Sequence, residues 1–107
     1  MMNRQLAFTL EAAETLERLK NNPAQSGVYK QLLKTLGLLE TNLRHQSLNT
    51  HEYLSLKGPN REKVFEAYAQ NNTPGAYRVF FHYGPDHISK AERIPVLTIL
   101  SLVPPPK

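Results

Sequence analysis

The sequence has no cysteine. That excludes a disulfide framework, a thiolate metal site and a thiol nucleophile, and it fits a reducing cytosol. No stretch approaches the roughly 20 consecutive apolar residues that span a bilayer. Met1 to Phe8 carries a single Arg and no long apolar core, so it does not read as a secretory signal. The expected compartment is the cytoplasm. There is no glycine-rich loop of the kind that cradles phosphate, and neither HExxH nor GxSxG occurs. Nothing points to a cofactor. His45, His51 and His87 lack metal-ligand spacing and read as surface residues, so no metal is expected either.

What is present is enough for one ordinary domain over residues 1–107. An apolar fraction of 40% and a charged fraction of 21% belong to a globular chain. Thirteen Lys and Arg against nine Asp and Glu leave a net charge of +4. A small basic domain tends to meet a polyanion or an acidic partner, although the same excess also serves solubility.

Leu6-Ala7-Phe8 is a candidate edge strand. Thr9 is a plausible N-cap, with Glu11 and Glu14 early and Arg18 and Lys20 late, a charge order that suits a helix dipole. Ala12, Leu16 and Leu19 share one face of that helix, which Asn21-Asn22-Pro23 ends. A second helix is expected from about Pro23 or Gln25 to about Asn42, with Leu32, Leu36 and Leu39 as its stripe. Residues 43–61 show no clean period and read as a long ordered loop, with strand or helical turns within it as the alternative.

The last third is strand-like: Lys63 to Ala69, Tyr77 to Tyr83, and Ile94 to Val103. Asn71-Asn72-Thr73-Pro74-Gly75 is a turn between the first two, and a polar connection runs from Gly84 to about Glu92. The order predicts an α+β fold, in which a helical hairpin packs on one face of a small, mainly antiparallel twisted sheet. The opposite face is left free for function.

Strand alternation sorts the side chains. Arg78, Phe80 and His82 fall on one side of their strand; Tyr77, Val79, Phe81 and Tyr83 fall on the other, bulkier side, which suits the core. If Gln70 pairs with Ala76, Tyr68 stands opposite Arg78 and Glu66 opposite Phe80. All four then share the accessible face with His82. A one-residue slip would turn Glu66 and Tyr68 away.

Several segments together resemble the RelE/ParE toxins of toxin–antitoxin systems. Ser55-Leu56-Lys57-Gly58 is similar to the family's Leu-x-Gly element. Val64-Phe65-Glu66-Ala67-Tyr68 sits where its second strand belongs. Gly75-Ala76-Tyr77-Arg78-Val79-Phe80-Phe81 resembles its Tyr/His-Arg segment followed by apolar residues, and Pro95-Val96-Leu97-Thr98-Ile99-Leu100 its terminal core strand. The resemblance implies a toxin that blocks translation, with the ribosome-dependent mRNA endonucleases as the favoured branch. It also implies an antitoxin protein as partner, ribosome and mRNA as targets, and Arg78 as the group that meets the phosphate at the cut. The chain differs from that branch at two places. Glu66 and Tyr68 stand on the preceding strand where other members have basic residues. Val103-Pro104-Pro105-Pro106-Lys107 ends the chain where they have a His, Arg or Tyr.

Metal-independent RNA cleavage needs the 2′-OH activated, the phosphorane stabilised and the leaving 5′-oxygen protonated. A guanidinium suits the middle task, because it is always charged and forks onto two oxygens. Proton transfer needs a His or a buried Glu. The catalytic candidates are therefore Arg78, His82 and Glu66. Lys57, Arg61 and Lys63 are candidates for RNA phosphates, and Tyr68 and Phe80 for stacking on bases. Plainer readings stand beside these: an exposed Arg78–Glu66 ion pair, a half-buried surface His82, aromatic cover of the sheet and a solvated basic loop. At the level of function the alternatives are a gyrase inhibitor of the ParE kind and a binding module that keeps the fold without catalysis.

Overall fold

The computed structural model describes residues 4–69 and 76–103, with the side chain of Val103 excepted. The expected turn over 71–75, the Gln70–Ala76 pair and the proline tail fall partly or wholly outside those residues. The elements are β1 (Gln5–Phe8), α1 (Leu10–Lys20), α2 (Ser26–Thr41), β2 (His51–Lys57), β3 (Lys63–Tyr68), β4 (Arg78–Tyr83), β5 (His87–Ser89), β6 (Glu92–Ile94) and β7 (Val96–Val103). Two short 3-10 turns, Pro23–Gln25 and Gln46–Leu48, lead into α2 and β2. No described helix is long and apolar enough to cross a membrane.

The fold is α+β. Two helices pack on one face of a five-stranded sheet of order β1-β7-β4-β3-β2, in which only β1 and β7 run parallel. Thr9 joins the helical layer to the sheet. Its hydroxyl oxygen accepts from the Ala12 N–H at 3.1 Å, capping α1, and its O–H donates to the Leu100 carbonyl at 2.7 Å. Ala12 and Leu19 from α1, and Leu32, Leu36 and Leu39 from α2, meet Ala67, Val79, Phe81, Leu97, Ile99 and Leu102 from the sheet. Leu19, Leu32 and Leu39 are fully buried, each contributing about 2 kcal/mol through removal of apolar surface from water. A register shift opposite Phe80 and Phe81 leaves Leu100 unpaired, so Ile99 and Leu102 both face the helices.

Two expectations are corrected. Residues 43–61 are not a loop throughout: they hold a 3-10 turn and the edge strand β2. The register of β2 on β3 shifts between Glu52 and Lys57, which breaks the period of two that marks a strand in sequence. The connection after Gly84 holds a separate hairpin of three-residue strands, β5 and β6, and Ile94 belongs to it. Its turn residues Lys90 and Ala91 both have positive φ, 49° and 67°. Turns of that kind normally announce themselves with Asn-Gly, which is absent here.

Candidate functional site

The β3–β4 register places Tyr68 opposite Arg78 and Glu66 opposite Phe80. Alternation then puts Glu66, Tyr68, Arg78, Phe80 and His82 on the face away from the helices, as the sequence predicts. That face is not open, however. Glu66, Arg78, Phe80 and His82 are all buried, and Arg78 is only 8% exposed. The reason is β2. Its bulged course brings Tyr53 edge-on to Phe80, with ring centroids 4.9 Å apart, and places His51 opposite Glu66. The expected exposed Arg78–Glu66 pair is thus a buried one.

The cluster can be built atom by atom. Oε1 of Glu66 lies 2.7 Å from Nε2 of His51, and Oε2 lies 3.5 Å from Nη1 of Arg78. Cζ of Arg78 sits 3.9 Å from the centre of the Tyr68 ring, a cation–π arrangement. The same tyrosine meets the His51 ring edge-on at 5.9 Å. Nδ1 of His51 is 2.9 Å from the Asn49 carbonyl oxygen. Because a carbonyl can only accept, that nitrogen carries a hydrogen. The short contact of Nε2 with the carboxylate then requires a second proton, held either on the ring or on Glu66. The imidazole is the most open member, with a side chain 45% exposed.

Arg78 is poorly satisfied for a buried cation. Among the described residues its one ion pair is loose, and its Nε is buried with no hydrogen-bond partner. Leaving that one N–H unmade in the interior is costly.

The other candidates scatter. His82 is 2% exposed, and its Nδ1–H donates to the Tyr83 carbonyl at 3.1 Å. It is an interior residue, neither a surface histidine nor one within reach of solvent. Phe80 is 1% exposed and covered by Tyr53, so it presents no ring to a base. Lys57, Arg61 and Lys63 are exposed but sit around the β2–β3 turn, at the opposite end of β3 from Tyr68. Five residue steps along a strand span about 17 Å, so this basic run is not part of the Arg78 cluster. Near it, the Glu62 carboxylate is held below its ordinary titration range by its own backbone N–H and by that of Asn60, which donates at 2.8 Å.

His51 is the residue that sequence reasoning missed. Its signal lay in the pairing of β2 with β3, which the irregular alternation of 51–57 hides. Among the described residues no three His, Asp or Glu side chains converge as a metal site requires. No family model, curated protein or solved structure matches this chain.

Proposed function

We propose that the chain is the toxin of a toxin–antitoxin pair, of the kind it resembles, and that it cuts mRNA at the ribosome. The observation that carries this reading is the under-bonded guanidinium of Arg78, next to a histidine–carboxylate pair that holds a transferable proton. In cleavage the 2′-oxygen attacks phosphorus while the bond to the 5′-oxygen breaks. The 2′-hydroxyl proton goes to a base and the leaving oxygen takes one from an acid. Arg78 suits the non-bridging oxygens, where charge builds. The His51–Glu66 pair suits one of the two proton transfers, in place of the His, Arg or Tyr that members of the resembled family carry past the last strand. Among the described residues edge strand β2 has a free ladder side and exposed Leu54 and Leu56. It is the natural place for an acidic antitoxin segment that orders on binding.

A second reading is favoured by the depth of Arg78. A cation 8% exposed meets RNA only if the Glu66 contact opens. Without that opening the fold would act by binding alone, as a gyrase inhibitor or as a partner-binding module. Induced expression with metabolic labelling separates these. The nuclease reading expects amino-acid incorporation to stop for the wild type and to continue for Arg78→Ala. Filamentation with a DNA-damage response and continuing translation supports gyrase inhibition, and unimpaired growth supports the binding module.

A further inference from the structure

A second cationic feature lies away from Arg78. An open depression of about 590 Å³ is lined by Arg4, Arg44, His45, Asn49, Thr50 and Tyr83, together with Leu43 and Gln46. Its volume falls within the range of small-ligand sites. Among the described residues no carboxylate lines it, and neither Arg4 nor Arg44 is in an ion pair. Two arginines lining one hollow, neither ion-paired among the described residues, suit a dianion.

The remaining lining groups add donors and an aromatic platform. Nδ1 of His45 accepts from the Ser47 N–H at 3.2 Å and lies 2.7 Å from the Ser47 hydroxyl. Its ring hydrogen is therefore on Nε2, so even the neutral ring keeps a donor. Oγ1 of Thr50 is shielded from water and has no hydrogen-bond partner, which is unusual for a buried hydroxyl. Tyr83 is held edge-on by Phe65 at 5.3 Å and by Phe81 at 6.0 Å, yet stays 46% exposed. Such a ring is a stacking surface for a base. Tyr83 and Arg78 end the six-residue strand β4 at opposite tips, about 17 Å apart along it.

We propose that this hollow is a nucleotide subsite, in which Arg4 and Arg44 take the phosphate and Tyr83 stacks on the base. It goes beyond the proposed nuclease reading and does not depend on it. The test is titration of the full-length chain, followed by calorimetry and by amide NMR shifts at residues 43–50 and 83. The probes are inorganic phosphate, AMP and a tetraribonucleotide. AMP is expected to saturate, to bind at least about tenfold more tightly than phosphate, and to lose at least about tenfold in affinity in Arg44→Ala. Tyr83→Leu is expected to abolish the preference for AMP while phosphate still binds. Tighter binding of the tetraribonucleotide than of AMP identifies the source as RNA, and equal binding a free nucleotide. Affinity unchanged in both Arg44→Ala and Arg4→Ala, with thermal unfolding also unchanged, overturns the proposal. So does phosphate binding as well as AMP.

Discussion

Nε2 of His51 and Oε1 of Glu66 lie 2.7 Å apart, joined by the pairing of an irregular edge strand with the sheet interior. The contact ties an accessible imidazole to a carboxylate that also faces the buried Arg78. Each residue of the cluster thus bears on stability and on the proposed chemistry, and the two can be measured separately.

Removing Glu66 leaves the Arg78 charge buried and unpaired. Glu66→Ala is expected to cost about 3 kcal/mol in urea unfolding. Adding Arg78→Met should recover part of that loss, because the orphaned cation is then gone. If the double variant is less stable than the sum of the singles, the two side chains are not coupled as the geometry implies.

The β5–β6 turn carries strain that a single change can relieve. Ala91 holds φ at 67°, a region that costs a residue with a Cβ about 1–2 kcal/mol. Ala91→Gly should stabilise the fold by about 0.5–1 kcal/mol once the extra unfolded-state entropy of glycine is subtracted. The thermal midpoint and the urea midpoint should both rise.

Glu62 gives an acid dependence of known sign. Its folded-state titration is lowered by backbone N–H donors, its own first. The stabilisation is therefore complete above the unfolded-state value near 4.5 and is lost as pH falls through the lower folded value. The group is only partly shielded from water, so the effect is small. Glu62→Gln should flatten the slope of stability against pH below that value and leave it unchanged at neutrality. Gly58 is coupled to the same carboxylate: a Cβ there would lie 2.4 Å from Oε1 of Glu62. Gly58→Ala should therefore displace the side chain and produce the same flattening.

The helical half of the fold is legible because its signals are local. Thr9 caps, the stripe of Leu32, Leu36 and Leu39 is regular, and Asn21 to Pro23 interrupts. The β3–β4 register is legible as well, since one turn length fixes it and hydrophobic alternation agrees. What escapes the sequence is non-local. Alternation names the face of Arg78 and Phe80, but it cannot say that Tyr53 will fold over that face from an edge strand with a shifted register. His82 likewise reads as accessible and proves buried, whereas His51 reads as incidental and lies in the cluster. The Lys90–Ala91 hairpin escapes because its residues lack the turn chemistry its backbone adopts.

The central claim concerns Arg78 and the proton held between His51 and Glu66, and it is tested most directly on purified ribosomes programmed with a defined mRNA. The wild-type chain is expected to cut the message and leave a 2′,3′-cyclic phosphate, and a 2′-deoxy substitution at the cut site should abolish the product. Arg78→Lys, which keeps charge but loses the fork, should slow the cut about 100-fold, and His51→Ala should slow it by a comparable factor. Intact mRNA with the wild-type protein, or cleavage unaffected by both substitutions, would contradict the claim.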